Sequence, residues 1–166
     1  MNEFVTGDAP VQHSRPDMPC FGCGPANEDG IGLESYLEAD GETLVATVDP
    51  NAKFSSGVEN VAYGGYLASL VDCHSVWTAM TAAHLTEERS FGSDPPIHYV
   101  TGELDVTYRA PTPLTRPIHL TARPEGEVGR SVTVRTEVES GDDTTVTAEV
   151  TAVRVDPEEM ADRHRE

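Results

Sequence analysis

The sequence predicts an α+β fold in which an antiparallel sheet of about six strands wraps one long central helix. Three observations carry this. One stretch, about 64–84, has helical periodicity and helical length; six β-rich segments lie two before it and four after it; turn residues separate them. An antiparallel sheet has to cover its apolar face, and a helix of about 20 residues spans roughly 30 Å, enough to do so.

Taken in order, residues 1–30 carry Pro10, Pro16, Pro19 and Pro25 among Gly22, Gly24, Asn27 and Gly30, the texture of an irregular N-terminal arm. Residues 31–155 form the domain proper. Ile31–Glu38 and Thr43–Val48 are expected as two strands around the turn Asp40-Gly41. A loop over 49–62 leads into the helix. Beyond a second loop with Gly92, Pro95 and Pro96 come strands expected at 97–109, 118–123, 131–139 and 144–155. Val132, Val134, Thr136 and Val138 alternate with Thr133, Arg135, Glu137 and Glu139, and Val146, Ala148, Val150 and Ala152 repeat the pattern. Gly141-Asp142-Asp143 supplies a hairpin turn between them. Residues 156–166 are a charged tail, expected to fray.

At 166 residues the chain has the length of one domain with a working core. Asp and Glu total 29 against 11 Lys and Arg, for a net charge of −18. Such a surface repels nucleic acid and anionic lipid, which need basic patches. No run of 18 apolar residues offers a membrane span. Met1–Pro10 lacks the basic segment and apolar core of a secretion signal, so a cytoplasmic location is expected. Lys53 is the only lysine, and acid excess without lysine fits a halophilic protein whose self-repulsion salt relieves. Stability that rises with molar KCl is the corresponding expectation.

Three cysteines, Cys20, Cys23 and Cys73, cannot all pair within one chain, and reduced thiols are expected. Cys20-Phe-Gly-Cys23 has the spacing of half a zinc site, with His13 available as a third ligand. The chain offers no second CxxC or histidine pair, so no metal is expected. Cys73 reads as a buried, inert thiol.

The helix holds the candidate chemistry. At about 100° per residue, Leu67, Leu70, Val71, His74, Trp77, Thr78 and Thr81 share one stripe. Thr78 and Thr81 can satisfy their hydroxyls on carbonyls one turn back. Asp72 lies opposite, among Gly65, Ala68, Ser69, Val76, Ala79 and Ala83, so the helix is expected to be buried nearly all round. A lone carboxylate on that face persists only with a partner or a chemical task. Either a neighbouring amide or hydroxyl holds it, or it works as a base. His74 faces the other way and reads as a hydrogen-bonded core histidine. Gly64 and Gly65 open the helix, where free amides favour negative charge on oxygen. Asp72 is about 12 Å further along the axis, too far to serve the same carbonyl. Two antiparallel helices in a two-fold dimer remove that obstacle, so shared sites in a homodimer are expected.

Tyr63-Gly64-Gly65-Tyr66-Leu67-Ala68-Ser69-Leu70-Val71-Asp72 resembles the His-Gly-Gly-x-Leu-Ala-x-Leu-x-Asp segment of PaaI-like hotdog thioesterases. Cys20–Asn27 with Gly32-Leu33, Thr101–Pro111, and Gly129-Arg130 resemble further segments of that family, in order. The resemblance implies a hotdog fold and hydrolysis of an acyl-CoA thioester at the interface of a homodimer, or of a dimer of such dimers. It implies no cofactor beyond the CoA of the substrate. By position Asp72 matches the family's general base or nucleophile, the Gly64 amide its carbonyl-polarising donor, and Thr101 the hydroxyl that holds the acid or the water. Tyr63 stands where the family has histidine; it can donate a hydrogen bond but takes no proton near neutrality. Tyr63, Gly65 and Asn60 are expected to line the substrate site. Arg109 and Arg130 are expected either to hold the CoA phosphates or to pair with surface carboxylates. A hotdog hydratase or dehydratase, and a non-catalytic acyl-CoA-binding module, are the competing readings, and fold alone does not choose between them.

Overall fold

The computed structural model describes residues 7–163 and Arg165. Six strands form one antiparallel sheet: β1 (Tyr36–Leu37), β2 (Leu44–Val48), β3 (Tyr99–Tyr108), β4 (Ile118–Glu125), β5 (Ser131–Ser140) and β6 (Asp143–Arg154). Helix α1 (Gly64–Thr86) lies between β2 and β3 in sequence, and a short helix α2 (Pro157–Asp162) follows β6. The sheet order is β1-β2-β4-β5-β6-β3, which leaves β3 as a ten-residue edge strand. This is the expected architecture of six strands and one long helix.

Period-two patterning puts Val132, Val134, Thr136 and Val138 of β5 inward beside Val146, Ala148, Val150 and Ala152 of β6. They close over the buried stripe of α1 (Leu67, Leu70, Val71, His74, Trp77, Thr78 and Thr81), and no side of the helix is a charged, solvated face. Thr78 donates to the His74 carbonyl at 2.8 Å as expected. Thr81 does not bond back; its hydroxyl is buried without a protein partner. Among the described residues no helix is long and apolar enough to cross a membrane.

Two elements differ from expectation. The first strand shrinks to Tyr36–Leu37 because the arm takes the hydrogen bonds of the residues before it. Ile31 N–H donates to the Phe21 carbonyl at 2.7 Å and Leu33 N–H to the Gly22 carbonyl at 2.9 Å. Ser35 N–H donates to the Gln12 side chain at 2.8 Å. The arm is therefore packed into the domain, with Val11, Gln12 and Cys23 buried; its residues 1–6 lie outside the described residues. Within the tail, expected to fray, Pro157–Asp162 form α2. Asp156 caps it by accepting from Glu158 N–H, and Pro157 fits the first turn.

Candidate active site

The helix start is built from three contacts. Tyr63, extended at φ −73°, precedes the first turn, where the N–H groups of Gly64 and Gly65 have no carbonyl one turn back to bond. The Tyr63 ring lies over Gly65, where a Cβ would come within 2.5 Å of Tyr63 Cε2. On the other side the Tyr108 hydroxyl, from the end of β3, donates to the Gly64 carbonyl at 2.6 Å. Tyr66 stacks on Phe54 with ring centroids 4.0 Å apart, which fixes the preceding loop. Asn60 occupies a left-handed conformation there (φ 60°), its carbonyl accepting from Leu114 N–H at 2.8 Å.

Two turns along the helix, Asp72 is half-buried on the stripe of small residues. Thr101, near the start of β3, donates its hydroxyl to Asp72 Oδ1. The strand bulges directly after Thr101, at Gly102. A side chain at Gly102 would press on Val153 at 2.8 Å, so the bulge carries glycine. One carboxylate oxygen is thus oriented, and the hydrogen bonds of the described residues leave Oδ2 without a donor.

The structure brings Asp72 and Thr101 together, and separately gathers Gly64, Tyr108 and Arg109. The latter three line one open groove of about 460 Å³ with Val61, Leu67 and Thr112. Arg109 donates its Nε to Thr147 Oγ1 at 3.0 Å and forms no salt bridge among the described residues. Arg130 lies elsewhere, in a groove shared with Arg154 and Arg163 at the Thr101 end of the sheet. The sequence alone does not single out Tyr108. Its only local signal is an aromatic residue closing a strand otherwise rich in polar side chains.

Two further groups settle into definite roles. His74 is fully buried, its Nε2–H donating to the Leu44 carbonyl at 3.1 Å and Nδ1 accepting from the Ser35 hydroxyl at 2.8 Å. Burial lowers its pKa to about 4, against the opposing pull of the Leu44 carbonyl. It is the core histidine expected. Cys73 is buried as expected, but it is not isolated: its sulfur lies 3.8 Å from that of Cys20. Hydrogen bonds from Cys23 and Cys73 hold the Cys20 thiol below the usual thiol range, while hydrogen bonding to Cys20 pushes Cys73 up. His13, which the sequence offers as a third ligand, faces Glu34 at 3.3 Å.

A long helix wrapped by an antiparallel sheet defines a hotdog fold, here with a carboxylate on the small-residue face of the helix and a Gly-Gly start. The Thioesterase superfamily model matches residues 59–147, and the chain belongs to that superfamily. A thioesterase superfamily protein from Shewanella loihica PV-4 is 27% identical, with 78% of this chain and 96% of that one covered at a TM-score of 0.60. The fold is also that of a phenylacetic acid degradation-related protein from Ralstonia eutropha JMP134 (18% identity, 87% and 97% covered, TM-score 0.63). The Escherichia coli PaaI protein is similar in fold as well (15% identity, 75% and 80% covered, TM-score 0.60). A search of curated proteins found no match. Thioester hydrolysis is the chemistry this membership supports.

Proposed function

We propose that the chain is an acyl-CoA thioesterase in which Asp72 is the general base or nucleophile and a second copy completes the site. The observation that carries this is the Thr101–Asp72 hydrogen bond. It orients one carboxylate oxygen on a face of small residues and leaves the other free for water or a carbonyl carbon.

Distance supports the proposed dimer. Gly64 and Asp72 of one chain are about 12 Å apart along α1, beyond the reach of one reacting group. Edge strand β3 offers the means to join two chains, with Leu104 39% and Tyr108 50% exposed. An antiparallel pairing of two β3 strands, centred between Leu104 and Asp105, sets Thr101 opposite the partner subunit's Tyr108. The Asp72–Thr101 pair then meets the helix start that Tyr108 braces.

In this reading Asp72 takes a proton from water as the water oxygen bonds to the thioester carbon. The Gly64 amide of the other subunit receives the oxyanion at the helix start, where the dipole favours it. The carbon–sulfur bond then breaks, and the CoA thiolate leaves with the proton. Should Asp72 attack directly, the same amide serves the tetrahedral intermediate, and water releases the acyl group from Asp72 afterwards. Tyr63 and Asn60 border the mouth of this site, and Gly65 lets the Tyr63 ring lie close against the helix start. The proposed holders of the CoA phosphates are Arg109, in the groove of Gly64, and Arg130, at the Thr101 end, where Asp156 and Glu158 in the same groove are alternative partners for it.

Thiol release from a panel of acyl-CoAs, with Asp72→Ala as control, tests the reading. Turnover that the substitution abolishes is expected, from a species eluting as a dimer or a dimer of dimers. No turnover at any chain length, or an equally active variant, would remove Asp72 from catalysis; an active monomer would remove the shared site. Binding of acyl-CoA without turnover would favour the binding module, and hydration of an enoyl-CoA would favour the hydratase.

A further inference from the structure

We infer that Cys20, Cys23 and Cys73 form a binding site for a thiophilic d10 metal ion, zinc(II) or copper(I), which fastens the N-terminal arm to helix α1 beside Asp72. The three sulfurs all lie within 4.8 Å of one another. Sequence separation makes this grouping notable, because Cys73 comes from mid-helix and the other two from a turn about 50 residues earlier. Two sulfurs bound to zinc at about 2.3 Å, at the tetrahedral angle, stand about 3.8 Å apart. The Cys20–Cys73 separation is 3.8 Å before any ion is considered.

The surrounding backbone is shaped to the sulfurs. A Cβ at Gly22 would fall 2.3 Å from Cys73 Sγ, so the turn passes the helix at a distance only glycine permits. Gly24 is equally constrained: a Cβ would lie 2.3 Å from Cys20 N and from the Met18 carbonyl, with no flexible side chain to give way. The turn itself closes through Gly24 N–H to the Cys20 carbonyl at 2.8 Å. The Trp77 indole N–H donates to Cys23 Sγ at 3.3 Å. A donor aimed at sulfur suits a thiolate, and it stands as an outer-shell group that orients a metal ligand. Cys23 and Cys73 are buried, whereas Cys20 is partly exposed and gives the ion a route in.

Three thiolates complete a trigonal copper(I) site outright. For zinc they supply three of four positions, and the solvent side of Cys20 supplies a water as the fourth. Loading releases to solvent whatever thiol protons remain, so affinity rises with pH. The ion closes a cross-link between the arm and the residue after Asp72, which makes the packing of residues 18–24 depend on it.

The experiment loads the full chain, reduced and free of oxygen, with zinc(II) or copper(I) in separate arms, and counts the metal retained after passage over a desalting column with a weak chelator. One equivalent per chain is expected in at least one arm, and the arm that retains it names the ion. Retention should be lost in Cys73→Ser and in Cys20→Ser and kept in His13→Ala, with circular dichroism confirming that each variant is folded. Trp77→Phe should weaken retention by about 10- to 100-fold, as losing an outer-shell donor does. If zinc is retained, cobalt(II) in its place should give sulfur-to-metal charge-transfer bands of three thiolates. If copper is retained, X-ray absorption should give three Cu–S contacts. No retention in either arm, retention undiminished in folded Cys73→Ser, or a two-thiolate signature would overturn the inference.

Discussion

Asp72 and His74 stand two residues apart on α1, and the structure treats them oppositely. His74 faces the sheet, sealed and neutral, with Ser35 and Leu44 satisfying both ring nitrogens and Gln12 bonding Ser35 in turn. Asp72 faces the stripe of small residues, half-exposed, with one hydroxyl on one oxygen. A polar group whose bonds are all used within the core contributes to stability and has nothing left for a substrate. A group bonded on one side only is oriented and still available. Position round the helix, rather than residue type, separates the two tasks.

The largest effect expected is at the open face. Asp72→Ala should lower kcat by about 10²- to 10⁴-fold, the usual worth of a positioned base, and shift stability by under about 0.5 kcal/mol. Thiol release and a thermal melt read the two quantities separately. Equal losses of activity and stability would merge the two faces into one structural unit. His74→Leu should do the reverse, costing about 2–4 kcal/mol through the unpaired Ser35 hydroxyl and Leu44 carbonyl. Its kcat per folded molecule should stay near wild type; a specific loss of kcat with an unchanged melt would give His74 a part in catalysis.

The histidine also sets a pH dependence. In the unfolded chain it takes up a proton near its ordinary value of 6.5, whereas in the folded chain it does so only near 4. Stability from this group is therefore full above pH 6.5 and declines as pH falls towards 4, by about 3 kcal/mol. His84 and His98, both lowered by burial, act in the same direction. Melting temperatures from pH 7.5 to 4.5 should fall for the wild type and fall less for His74→Leu; parallel curves would sink the assignment. The smallest effect is expected from Tyr108→Phe. It removes one hydrogen bond from a Gly64 carbonyl that the helix already engages, worth about 1 kcal/mol and no more than a tenfold change in kcat/KM.

Much of this was legible along the chain because the signals are local. Alternation over 131–139 and 144–155 identifies β5 and β6 with their inward residues, since a strand side chain's direction repeats every two positions. The uncharged face around Asp72 marks that carboxylate before any partner is known. The first strand misled for an equally physical reason. Residues 31–35 have strand character, but the arm competes for the same backbone groups and wins them from the sheet.

The sequence by itself determined the order of the six strands about one long helix, the buried stripe with His74 on it and the isolation of Asp72 on the other face. Each follows from local periodicity and the turn residues between segments. The tertiary structure alone decided that Tyr108 braces Gly64 across 44 positions and that Cys73 meets Cys20 across 53. Helical phase places Cys73 on α1 but carries no information about which distant turn packs there. That depends on how the arm, the helix and the edge strand fill common space, and only the folded chain brings them together.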